Sequence, residues 1–165
     1  MNAEPAAQGP GEWVLLSYRI PREPSTPRIS VWRKLKQLGV AQISDGLVAL
    51  PADARTREHL DWIAEEVVEA GGTATVWLAR PTARAQEHHL AQTMAQARAA
   101  EYRAVRAEAA HARSLPEPER LRAMRRLRTQ LRRIARRDYF PPPERRTARE
   151  AVEALHPDHT EQESA

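Results

Sequence analysis

The stretch VAQISDGLVALP, Val40–Pro51, decides the fold. Two short β-prone runs, Val40–Ser44 and Leu47–Leu50, flank Asp45-Gly46, a strong hairpin signal, and Pro51 closes the second run. Working outward, the segment before this hairpin reads as strand then helix. Trp13–Ile20 (WVLLSYRI) is a compact apolar run stopped by Pro21 and Pro24, which predicts a buried strand. Ser25-Thr26-Pro27 opens a helix, with Ser25 expected to accept from free amides and Pro27 tolerated in the first turn. Ile29, Trp32, Leu35 and Leu38 form its apolar stripe, and Gly39 is placed to end it in the left-handed conformation. After the hairpin, Thr56–Ala70 reads as a helix with Leu60, Ile63, Val67 and Ala70 on one side and Gly71-Gly72 as its stop. Thr73–Arg80 alternates as a last strand.

The string β-α-β-β-α-β, joined by right-handed crossovers, gives a four-stranded antiparallel sheet with both helices on one face. The expected class is therefore α+β: a ferredoxin-like domain over residues 13–82, followed by an antiparallel helical hairpin. The other sheet face must be covered, either by the carboxy-terminal helices or by a second copy of the chain, because large apolar patches are uncommon on monomers.

Residues 83–155 form the extension. Ala83–Arg113 has neither Gly nor Pro and predicts one long helix with a stripe of Leu90, Met94, Ala97, Glu101/Tyr102 and Val105. Ser114-Leu115-Pro116-Glu117 has the spacing of a capping box, and Leu121, Met124, Leu127, Leu131 and Ile134 make the apolar line of the next helix. A third helix, Glu144–Leu155, follows Pro141-Pro142-Pro143. Residues 1–12 and 156–165 read as disordered tails, the second acidic.

Charge is distributed by segment. Seventeen of the 26 Lys/Arg lie between Ala83 and Arg149 against seven acids, a net charge near +10 there, and the cations of that stretch are all Arg. Nine fall in one helix and the turn after it: Arg120, Arg122, Arg125, Arg126, Arg128, Arg132, Arg133, Arg136 and Arg137. The guanidinium fork suits phosphate, so DNA is the expected partner, with a merely solvated helix face as the plain alternative. Tyr139 and Phe140 follow this run as a candidate stacking pair, or as residues that dock the helix end. The loop Arg19–Arg28 is a second basic feature. Its prolines stiffen it and its arginines surround a helix amino-terminus, so Arg19, Arg22, Ser25, Thr26 and Arg28 are candidate oxyanion ligands. The plain alternative is a strand-to-helix turn in which Arg22 pairs with Glu23.

Cysteine is absent, which removes thiol and disulfide chemistry, and no apolar run is long enough for a bilayer, so the expectation is a cytoplasmic protein without membrane contact. His88-His89 and His156/His159 have no convergent frame, and no nucleophile has a base at recognisable spacing, so neither a metal, a cofactor nor catalysis is expected.

WVLLSYRIPREPSTPRISVWRKLKQLG, the ISDGLVALP hairpin, AEYRAVRAEA and RIARRDYFPPPER together resemble the amino-terminal domain of the bacterial chromate-resistance regulator family, ChrB. The likeness runs from Trp13 to Arg149. It implies a regulator of chromate-resistance genes that binds DNA and responds to chromate, and a homodimer is the leading expectation for the chain. Full regulators of the family carry a second domain, and this sequence ends after the first. The alternative reading is a protein-interaction or oxyanion-sensing module that does not bind DNA.

Overall fold

The structure, a computed structural model, describes residues 9–160. The chain divides into two compact units, the boundary falling after Met94.

The first unit contains β1 (Trp13–Arg19), α1 (Ser25–Leu38), β2 (Ala41–Ser44), β3 (Leu47–Pro51), α2 (Ala54–Glu69) and β4 (Thr73–Ala79). The sheet order is β2-β3-β1-β4, antiparallel throughout, which is the ferredoxin-like arrangement expected from the hairpin reading. Alternation along β1 separates the two faces. Val14 and Leu16 are fully buried and sit beside Leu50 and Val48 of β3. The helices cover this side, α2 contributing Leu60, Ile63 and Val67 and α1 contributing Val31 and Leu35. Leu15 pairs with Ala49 and Trp77 on the opposite face, where Trp13 donates from Nε1 to Glu87 at 3.1 Å.

Three local expectations are corrected. Ser25 does not cap α1: Pro24 is the N-cap residue and makes no side-chain cap, leaving the first amides without a side-chain partner. The buried line of α1 runs through Val31 and Leu35, so Ile29 and Trp32 lie outside it and are 51% and 52% exposed. Four-residue spacing puts Val31 and Leu35 on one side, and the three-residue rhythm of Ile29–Trp32–Leu35 drifts off it. The second helix begins at Ala54, not Thr56, because Asp53 caps it. Asp53 accepts from the Thr56 amide at 2.7 Å, and Thr56 Oγ1 accepts from the Asp53 amide at 3.0 Å. Gly39 ends α1 at φ 74°, as its position predicts.

α3 (Arg84–Ala112) starts in the first unit and ends in the second, which also holds α4 (Glu117–Ala135), α5 (Glu144–Glu153) and α6 (Pro157–Thr160). The core of the second unit is built from Tyr102, Val105 and Ala109 of α3, Leu127, Leu131 and Ile134 of α4, and Val152 with Leu155 behind α5. Cross-links at Glu101–Arg137 and Glu108–Arg126 run in opposite chain directions, so the end of α3 and α4 form the antiparallel hairpin read from the sequence. The buried line of α3 differs in detail: Ala97 is exposed and Arg98 occupies the expected apolar position. Ser114 also departs from expectation. Its hydroxyl donates to the His111 carbonyl, and Pro116 is the N-cap residue of α4. Pro157–Thr160 form a helical turn inside the segment expected to be disordered; residues 1–8 and 161–165 of the two expected tails lie outside the described residues. No helix of the described residues is long and apolar enough to cross a membrane.

Candidate nucleic-acid interface and anion groove

α4 is amphipathic by construction. Ala123, Met124, Leu127, Leu131 and Ile134 are buried, Glu117 and Glu119 stand in the first turn, and Arg132 and Arg133 in the last, each with the sign the helix dipole favours. At 100° per residue, Arg122, Arg125, Arg126, Arg132, Arg133 and Arg136 fall within an arc of about 120° opposite this apolar line. All six are exposed, and from Arg122 to Arg136 the stripe runs about 21 Å along the axis. Arg122, Arg125, Arg133 and Arg136 make no ion pair among the described residues. Arg126 meets Glu108 at 3.1 Å, an exposed pair of the kind worth no more than about 1 kcal/mol. Arg132 donates to the Thr129 hydroxyl at 3.0 Å.

The other three expected arginines are placed elsewhere. Arg128 is held by Glu153 through two donors, Nε at 2.9 Å and Nη2 at 2.6 Å. Arg137 donates to Glu101 at 2.5 Å. Arg120 is half-buried on the apolar side, with Nε out of water and unbonded. The structure thus brings six of the nine onto one face and assigns Arg128 and Arg137 to internal pairing.

A polar cluster lies at the open end of the hairpin. Tyr102 donates its hydroxyl to Asp138 Oδ2 at 2.8 Å, beside the Arg137–Glu101 pair. Arg98 joins Glu101 at 2.9 Å, and Arg145 approaches Asp138 at 3.9 Å. The Asp138 side chain is 0% exposed and its Oδ1 has no partner among the described residues. Burial raises its carboxyl above the usual range, against the opposing pull of the Tyr102 hydrogen bond and of Arg145, Arg98 and Arg149. Burial also raises the Tyr102 hydroxyl, reinforced by its bond to Asp138 and that group's charge. Glu101-Tyr102 and Arg137-Asp138 are therefore two rungs clamping α3 to the end of α4. The sequence shows Glu101/Tyr102 as a stripe position and Arg137 as one of a basic run, and it cannot pair them because a 36-residue separation has no local signature. Tyr139 and Phe140 are part-buried.

In the first unit, the end of β1, the start of α1 and the β2–β3 turn enclose a groove of about 860 Å³. Of the five expected oxyanion ligands it brings together Arg19, Ser25 and Arg28; Arg22 and Thr26 are exposed and do not line it. Tyr18, Trp32 and Asp45 also line it, although the sequence places them in a strand, a helix stripe and a turn and marks none as a ligand. Burial lifts the Tyr18 hydroxyl above its ordinary range, Asp45 adds to the rise and Arg28 opposes it. The hairpin is fixed here by the Tyr18 amide donating to the Gly46 carbonyl at 2.8 Å. Gly46 sits at φ 72°, and a Cβ there would lie 2.4 Å from the Tyr18 carbonyl oxygen. No group of three or more metal-ligating side chains occurs among the described residues.

Residues 28–114 match the sequence model of the family described as Protein ChrB, N-terminal. Over 145 residues the chain is 30% identical to Protein ChrB of Cupriavidus metallidurans, covering 86% of this chain and 44% of that protein. The chain thus spans under half the length of the curated relative it matches.

Proposed function

This chain belongs to the ChrB amino-terminal domain family, and from that premise we propose a non-catalytic, cytoplasmic, homodimeric regulator of chromate-resistance genes that contacts DNA through α4. The observation that carries the DNA reading is the exposed stripe Arg122, Arg125, Arg126, Arg132, Arg133 and Arg136, all on one face and mostly without internal partners. Arginine on phosphate releases condensed counterions, so affinity for a duplex falls steeply as salt rises. Self-association is supported by the uncovered part of the sheet. Trp77 is 52% exposed there, beside an apolar groove of about 600 Å³ lined by Leu15, Ile43, Leu47 and Leu90.

Gel-shift titration of a duplex carrying the promoter upstream of the protein's own gene, repeated from low to physiological salt, tests the reading. A shift that weakens linearly on a logarithmic salt scale supports it; absence of any shift at low ionic strength removes it. Light scattering on the same sample tests the dimer.

A second reading places anion recognition in the first unit, where Arg19, Ser25 and Arg28 share one groove and neither arginine has an acidic partner among the described residues. Calorimetry with chromate or sulfate on wild type and Arg28→Ala tests it, and identical heats in the two proteins count against it.

A further inference from the structure

We propose that the groove between β1, α1 and the β2–β3 turn is a site for a nucleoside phosphate: Trp32 stacks the base, Arg19 and Arg28 hold the phosphate, and Asp45 accepts from ribose or base donors. The inference rests on the groove being an anion site and specifies what that anion is attached to.

Size is the first argument. About 860 Å³ is within the range of pockets that enclose drug-sized ligands, and a tetrahedral oxyanion would fill only a small part of it. Its charge would then remain hydrated, and arginines gain little from an ion they cannot desolvate. Asp45 supplies the second argument. A carboxylate in a groove built around two arginines repels a bare dianion, whereas it complements the hydroxyl and amino donors of a nucleoside. Third, Trp32 is off the buried line of α1, is half exposed and lines the groove together with those arginines. One face of its indole carries the Lys36 ammonium 4.6 Å from the centroid, so a planar ligand takes the other. An open aromatic next to two arginines is the pairing that holds a base and its phosphate together. The Tyr18 hydroxyl, protonated at neutral pH as tyrosine ordinarily is, lines the same groove and is a donor for a phosphate oxygen.

The test is calorimetry of the full chain with adenosine monophosphate, adenosine, inorganic phosphate and a 5′-phosphorylated tetranucleotide. The mononucleotide is expected to bind about tenfold more tightly than phosphate or adenosine, the scale of one base-stacking contact. Trp32→Ala and Asp45→Asn are each expected to weaken it by a similar factor, while Asp45→Asn tightens inorganic phosphate. Equal binding of the tetranucleotide and the mononucleotide identifies a strand terminus as the natural source, and preference for the mononucleotide identifies the free nucleotide. Phosphate binding as tightly as the mononucleotide overturns the inference and leaves the oxyanion reading standing. No binding of either removes both, and mononucleotide affinity unchanged in Trp32→Ala and Asp45→Asn overturns the placement. Thermal melts of the variants, both at solvent-exposed positions, confirm that the fold is intact.

Discussion

Asp138 is the residue at which burial and charge compete most directly. Its carboxyl has a raised proton affinity because desolvation outweighs the arginines nearby. The sign follows from linkage. A carboxyl raised in the folded state binds more protons there than in the unfolded chain, so its contribution is fully present below the ordinary carboxylate value and is lost as pH rises through the raised one. Asp138→Asn is neutral at every pH, so it is expected to gain stability relative to wild type as pH increases from 3 towards 7, measured by urea denaturation. A relative loss over that interval would mean that Arg145 and Arg98 stabilise the carboxylate more than burial penalises it. Tyr102→Phe removes the only hydrogen bond to the Asp138 carboxyl among the described residues and strands a buried acceptor, at a cost of about 1–3 kcal/mol in the same measurement. None of this was legible in the sequence, where Tyr102 reads only as one apolar position and Asp138 as one acid in a basic run.

At the scale of elements, α4 separates arginines that serve the fold from arginines that face water. Replacing Arg125 or Arg133 by Ala is expected to lower the logarithmic salt slope of duplex binding by about 0.9 each and to leave the melting temperature in place. Arg137→Ala should do the reverse, lowering stability with the slope unchanged, because its guanidinium is engaged by Glu101. A slope that moves with Arg137 and not with Arg125 would relocate the contact surface. The elements themselves were largely readable. The Asp45-Gly46 turn, the Gly39 terminus and the compact apolar run of β1 each carry their signal within a few residues, and all were found in place. The caps were less legible, since Ser25 and Ser114 have the right chemistry but lie one and two residues from the observed N-caps, Pro24 and Pro116. Asp53, the cap that does form, is expected to cost about 1 kcal/mol on replacement by Ala, read by thermal melting. For the site, sequence reading found the cations but not their companions. Trp32 was counted as core because its spacing fits a helical stripe, and only the packed sheet decides which of two adjacent stripes turns inward.

Across the whole molecule, the segmental charge seen in the sequence becomes a division between the two units. The second holds the arginine stripe, and the first holds a groove that mixes two arginines, one carboxylate and open aromatic surface. Raising salt from about 50 to 200 mM is therefore expected to abolish most duplex affinity while changing nucleotide affinity far less, since one phosphate is a small share of the counterions a duplex releases. Parallel titrations at the two salt levels check this, and equal losses would merge the two sites into one electrostatic surface. The stripe on α4 has one more property. Counted from Thr129, its arginines stand at three, four and seven residues in both directions, so the charge pattern is a palindrome. If α4 contacts DNA as proposed, such a ladder would meet a phosphate chain equally well with either polarity, and the helix could reverse its heading on the duplex without surrendering a contact. On the proposed reading, facing direction would be imposed by a partner copy, and α4 would serve as a runner along the track, with the stopping place chosen elsewhere.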